Sequence, residues 1–306
     1  MARRRAPPRV SGVALIDKPA GVTSHDVVQR IRRGLGQRQV GHTGTLDPAA
    51  TGLMVLTLGR ATRIGRFLEA TDKVYEGTIQ LGRSTTTWDA EGEVVETVPV
   101  PAVSEDDVRA VFETLTGRIE QEVPAFSALK RDGERLFARA RRGEAVVGPR
   151  RPVDVRRFAL RGVDGDALHF EVEVSKGTYV RSLAVDVGRR LGVPAHLSAL
   201  RRLRVGPHAV GSAVAPERFE APEPPIEPPA SALSHLPAAH LGPGAVRSVA
   251  YGQPLPASMA PVGSSGLLRL LDPEGCLVAV GRLEPGGAHV VYEVVLIRPE
   301  ERAGTV

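Results

Sequence analysis

The chain has 306 residues, of which 42% are hydrophobic and 25% charged, a balance ordinary for a folded protein that excludes a wholly disordered one. Forty basic against 35 acidic residues leave a net charge of +5, which suits a polyanionic partner. A single cysteine, Cys276, excludes an internal disulfide and any multi-cysteine zinc or iron–sulfur site.

Residues 1–9 read as a disordered basic arm. No apolar segment follows its arginines, and no apolar run approaches the ~20 residues of a membrane span, so a cytosolic protein without a membrane partner is expected. GVALIDKP then forms an apolar strand ending at a Lys-Pro turn, and Ser24 caps a helix whose inner face is Val27, Val28, Ile31 and Leu35. GHTGTLDPAATG is too rich in glycine for regular structure, and LMVLTLG behind it reads as a buried strand. KVYEGTIQLG alternates, with Tyr75, Gly77, Ile79 and Leu81 on one face.

SEDDVRAVFETLTG is an amphipathic helix with Val108, Val111, Phe112 and Leu115 inside, a capping box at Ser104 and Asp107, and Gly117 closing it. A further strand runs through Leu168, Phe170, Val172 and Val174, and a helix from Tyr179 to Leu191. Irregular interleaving of strands and helices favours an α+β fold with a mixed, largely antiparallel sheet over 10–213. Residues 214–242 are dense in proline and alanine and read as a semi-rigid linker. Beyond them, 243–306 reads as a small all-β module, expected to be a compact barrel, with two strands around Asp-Pro-Glu-Gly and a third in AHVVYEVVLIRP.

Two features carry chemistry. Only four basic residues are lysine (Lys18, Lys73, Lys130 and Lys176), and an arginine-rich chain keeps lysine where a compact ammonium is needed. The glycine-rich loop holds one carboxylate, Asp47, restrained by Pro48 and flanked by the hydroxyls of Thr43 and Thr45. Such an aspartate suits nucleophilic or acid–base chemistry, or it is an Asx-type turn capping the residues that follow.

The stretches DKPAGVTSHD (17–26), GHTGTLDPAATGLMVLTLGRATR (41–63), KVYEGTIQLGRSTTTWDAEG (73–92), VPAFSALKRDGERLFARARRG (123–143), SKGTYVRSLAVDVG (175–188) and HLSALRRLRVG (196–206) resemble, in order, the bacterial tRNA pseudouridine synthases of the TruB family. The tail is similar to the PUA module that such enzymes often carry. The resemblance implies the pseudouridine synthase fold and isomerisation of the T-loop uridine of tRNA (position 55) to pseudouridine on a nucleotide turned out of its stack. Asp47 would be the nucleophile, Arg181 its charge partner and Tyr75 the ring stacked on the target base. It further implies that Tyr179 and Leu200 line the base pocket, that His42 inserts into the T loop, and that Lys18 binds substrate. The reaction has no redox change or group transfer, so no cofactor and no metal are expected, and a monomer acting on the tRNA T arm is.

Gly77 beside Tyr75 would leave room for a ligand. Three basic groups would face RNA: Arg30, Arg32, Arg33 and Arg38; Arg131, Arg135, Arg139, Arg141 and Arg142; and Arg201, Arg202 and Arg204. The sequence departs from the family pattern at Phe126 and Phe137, where tyrosine is usual, and at Thr86, often acidic, while Asp89 is kept. An RNA-binding or RNA-folding protein is the rival reading. A paired-acid glycosidase is disfavoured because no second carboxylate lies near Asp47 in the sequence.

Overall fold

The computed structural model describes residues 9–131, 133–144 and 146–297. The arm at 1–8 and the last residues of the tail, 298–306, lie outside them. In chain order the elements are β1 (Gly12–Lys18), α1 (Ser24–Gly34), β2 (Val40–His42), β3 (Thr51–Leu58), α2 (Gly65–Glu69), β4 (Lys73–Leu81), β5 (Arg83–Thr85), β6 (Val94–Thr97), α3 (Glu105–Thr114) and β7 (Gly117–Glu122). Next come β8 (Lys130–Arg131), β9 (Glu134–Arg135), α4 (Leu136–Arg141), β10 (Arg150–Asp164), β11 (Ala167–Val174), α5 (Val180–Leu191), β12 (Ala195–Val205) and β13 (His208–Ala209). The last part holds α6 (Pro229–Ala232), β14 (Ala238–His240), α7 (Pro243–Ala250), β15 (Leu255–Pro256), β16 (Gly266–Leu271), β17 (Leu277–Leu283) and β18 (His289–Val295).

A mixed sheet in the order β1-β3-β12-β4-β11-β10-β7 forms the larger part, with β2 on β3 and β13 on β12. Every pairing in it is antiparallel except the short parallel contact of β12 with β3, at Arg201 and Arg202. The expected α+β class with a largely antiparallel sheet is what the chain adopts. Helices α1, α3 and α5 cover one face, where Val28, Ile31, Phe112, Leu183 and Val187 meet Met54, Leu56, Ile79 and Phe170. Phe112 stacks on Phe158 at 3.8 Å, and Phe158 meets Phe170 edge-on at 5.5 Å.

Both faces of β3 are covered. Met54, Leu56 and Leu58 point to the helices, while Leu53 and Val55 join a second core with Phe67, Leu233, Leu277, Val280 and Val294. A strand buried on two sides reads as a continuous apolar run rather than an alternation, which is the pattern of LMVLTL.

Some local expectations are corrected. Thr23, not Ser24, caps α1: its side chain accepts from Asp26 N and Asp26 returns the bond to Thr23 N. Ser24 is thereby the first helical residue and is buried. Helix α3 keeps its Ser104–Asp107 capping box but ends at Leu115, and Gly117, at φ +95°, opens β7 instead of closing the helix. The segment 214–242 runs along β1, with bridges from Val214 to Ile16 and from Glu227 to Val13. It buries Phe219, Ala232 and Leu233.

The C-terminal strands form an open five-stranded sheet, β14-β16-β17-β18-β15, in place of the closed barrel expected; its two edge strands are not paired with each other. Asp272 makes the turn between β16 and β17 by accepting from Glu274 N and Cys276 N.

Candidate active site

The loop from Thr43 to Ala50 is tied down at nearly every residue. Thr43 donates twice to Val55 O, from its backbone nitrogen and from Oγ1. The Arg202 guanidinium donates to Gly44 O, Thr45 O and Leu53 O. Ser24 Oγ accepts from Leu46 N and donates to Leu46 O, both at 2.8 Å. Gly21 N and Lys18 Nζ donate to Pro48 O, and Ala50 N closes a turn onto Asp47 O. Gly52 sits at φ +98° where a Cβ would overlap the Arg202 backbone, so β3 and β12 approach closely only because that side chain is absent.

Each tie uses backbone or a flanking side chain and leaves the Asp47 carboxylate free. It pairs with Arg181, Nε to Oδ2 at 3.0 Å, so the carboxylate serves an ion pair and not an Asx turn. Arg181 lies on the first turn of α5, 5% exposed. Its Nη1 donates to Thr87 O at 2.9 Å and meets Asp89 Oδ2 at 3.3 Å, and Nη2 donates to Phe126 O at 2.9 Å. Two carboxylates and two carbonyls therefore hold one buried guanidinium, which satisfies a charge that would otherwise be costly to bury.

The Asp47 side chain is 45% exposed. Loss of solvent around it pushes its carboxyl above the usual aspartate value; Arg181 pulls it down, Asp89 pushes it up and Lys18 pulls it down. Arg181 was expected to keep the group ionised and does favour the anion, but desolvation is the larger effect. A second carboxylate, Asp89, is present after all, brought from the connection between β5 and β6 by folding. Asp89 is spent on Arg181, the Thr87 hydroxyl and Glu91 N, so it is bound as a structural acceptor.

The other expected site residues divide. Lys18 is fully buried and gives its three N–H groups to Pro19 O, Val22 O and Pro48 O. It holds the loop, and its ammonium has no donor left for substrate. Lys73, also buried, donates to Glu69 O and Thr71 O, and desolvation together with Arg202 lowers it to about 8. Tyr75 is 7% exposed and shares the core that contains Leu46 and Ala50. Gly77 lines a cleft with Ala49, Ala199 and Leu200, and a Cβ there would lie 2.6 Å from Ala199 O and 2.7 Å from Phe170 Cζ.

Leu200 is partly buried opposite Gly77. Tyr179 is the N-cap residue of α5; Gln121 bonds both its N–H and its carbonyl, and Arg151 lies over its ring at 4.9 Å. His42 is exposed at the end of β2, and its Nδ1 accepts from Gly44 N at 3.3 Å. Desolvation by the surrounding loop lowers its pKa below the usual histidine value.

The basic groups contribute less free charge than expected. Arg30 is paired with Glu217 and Glu220. Arg201 pairs with Asp17, Arg204 with Glu173, and Arg202 is buried in the loop's support. Arg142 pairs with Glu134 and Glu144, while Arg135 and Arg141 lie over the Phe137 ring. The side chain of Arg131 lies outside the described residues. Thr86, at the often acidic position, accepts from Glu93 N.

Ser24, Asp89 and Arg202 are the supporting residues that the sequence leaves unmarked. Ser24 reads as a cap, Asp89 as a remnant of a pattern and Arg202 as one arginine in a basic run.

Comparisons with known proteins identify the family. Residues 32–180 match the family model of the TruB family pseudouridylate synthase, N-terminal domain. The tRNA pseudouridine synthase B of Aromatoleum aromaticum is 45% identical over 285 residues, covering 91% of this chain and 90% of the relative. That of Thermobifida fusca is 45% identical over 292 residues, covering 92% and 97%.

Among solved structures, a Cbf5-Nop10-Gar1 complex superposes with a TM-score of 0.74 at 27% identity, covering 94% of this chain and 86% of that one. An H/ACA RNP bound to a substrate RNA containing 2′-deoxyuridine superposes at 0.73 and 26% identity, with the same coverage. On identity, coverage and fold together, the chain belongs to the TruB family of pseudouridylate synthases.

Proposed function

We propose that this enzyme converts the T-loop uridine of tRNA (position 55) to pseudouridine, with Asp47 as the nucleophile on an everted nucleotide. The observation that carries this reading is the Asp47–Arg181 pair on a loop tied down at nearly every other residue. A reacting carboxylate needs a fixed position and an exposed face, and this one has both. The relatives named tRNA pseudouridine synthase B supply the substrate class.

The reaction breaks the N1–C1′ bond, turns the uracil, forms a C5–C1′ bond and releases the C5 proton, while N1 takes up a proton. Atoms are conserved, and a covalent adduct with Asp47 would divide one difficult displacement into two easier steps. Arg181, anchored by three other partners, would hold the carboxylate and stabilise its charge without reorganising. Tyr75 and Leu200 would form the floor against which the base turns, and Tyr179 its wall.

His42, exposed beside the loop, suits insertion into the opened T loop, where a ring replaces part of the stacking that eversion loses. Residues 10–213 would act as the catalytic domain. The C-terminal strands would act as a PUA-like module that touches the RNA, and the protein would work as a cytoplasmic monomer. Tritium release from C5-labelled uridine in an unmodified tRNA transcript tests the proposal. The wild type should release the label, and Asp47→Asn should lower the rate by about four orders of magnitude while retaining tRNA. Undiminished release by that variant would refute the role of Asp47.

A further inference from the structure

Trp88 sits in a backbone conformation that tryptophan rarely adopts. Its φ is +65°, in the left-handed region, and among the described residues only Glu223 shares this property without being glycine. Folding holds it there from both sides. Trp88 N donates to Thr85 O and Trp88 O accepts from Leu197 N, while the Thr85 hydroxyl donates to Asp89 O at 2.6 Å. Its two neighbours in sequence are the residues that grip Arg181, Thr87 through its carbonyl and Asp89 through its carboxylate. The ring is thus mounted on the same short loop that positions the partner of Asp47.

Glycine would fit this backbone without strain, yet the chain places its largest side chain here. Trp88 belongs to none of the three hydrophobic clusters, and among the described residues it makes no ring–ring or cation–ring contact. It is partly exposed. A partly exposed aromatic on a loop fixed beside a site that handles nucleic acid has a direct use. A base that loses its neighbour when the target nucleotide turns out can stack on an indole instead.

We propose that the Trp88 indole is a stacking platform for a base of the RNA substrate beside the uridine that enters the site. This rests on the RNA reading above and adds a specificity-determining contact to it. Trp88 is the only tryptophan in the chain, so intrinsic emission reports on this ring alone.

The test uses full-length Asp47→Asn protein titrated with an unmodified tRNA transcript, with filter retention measured in parallel. Emission should fall by about half with the same midpoint as retention, as stacking on a base requires. Retention without a change in emission overturns the platform and leaves the RNA reading standing; failure of retention overturns both. In the active enzyme, Trp88→Gly relieves the strained φ and should melt no lower than the wild type. It should raise KM about tenfold with a much smaller effect on kcat, and Trp88→Phe should fall between. A Trp88→Gly enzyme with the wild-type KM overturns the proposal.

Discussion

Burial and Arg181 act on Asp47 in opposite directions, and burial is the larger effect. Its folded pKa therefore lies above the unfolded one, so the ionised carboxylate costs stability at neutral pH, and that cost fades as pH falls below the folded value. Two consequences follow at the scale of the residue. Replacing Asp47 with Asn should leave the melting temperature at pH 7 unchanged or raise it, while catalysis is lost; calorimetry set beside the tritium assay checks this pair of outcomes. The pH profile of kcat/KM should show an acid limb with its midpoint above the ordinary aspartate value of about 3.9, and a midpoint at or below it would contradict the desolvated site.

At the scale of the element, the loop depends on α1. Ser24 is the first residue of that helix, and its hydroxyl both donates to and accepts from Leu46, next to Asp47. Ser24→Ala should cost about 1–3 kcal/mol in denaturant unfolding, since a buried N–H and C=O lose their partner. It should also lower kcat more than its effect on RNA retention, because the loop carries Asp47, the proposed nucleophile. Thr23→Ala removes an exposed capping box and should cost about 1 kcal/mol with little effect on kcat.

The contrast between these neighbours shows where the sequence is silent. Either hydroxyl can cap a helix, and only packing assigns one to the cap and the other to the loop. The apolar spacing of α1, α3 and α5 is, by contrast, plain in the sequence, because each helix needs one inward face.

Across the whole molecule, one buried cluster runs from Val13, Leu53 and Phe67 of the N-terminal part to Leu277, Val280 and Val294 of the C-terminal sheet. Arg63 donates to Val295 O, and Arg66 binds the carbonyl and carboxylate of Glu293. The two sheets should therefore unfold in a single calorimetric transition, and separate transitions would contradict the shared core. Because so many arginines are paired within the chain, the RNA affinity should weaken with salt less steeply than the 40 basic residues suggest. A plot of log affinity against log salt measures how many phosphates are neutralised.

The sequence by itself determined the class of fold and the family, and it marked Asp47 as the candidate nucleophile. Periodicity reports which faces are buried, and GHTGTLDP is a long, specific stretch. The family resemblance already named Arg181, and tertiary structure decided the rest of what surrounds Asp47. Arg181, Asp89, Arg202, Ser24 and Lys18 come from distant parts of the chain, and a charged side chain reads the same in sequence whether it meets water, a phosphate or a carbonyl. Which partner it meets depends on contacts far apart in the chain, so Lys18 became a loop anchor, Arg202 a strut and the Pro/Ala segment a strap along β1 only once the sheet was assembled.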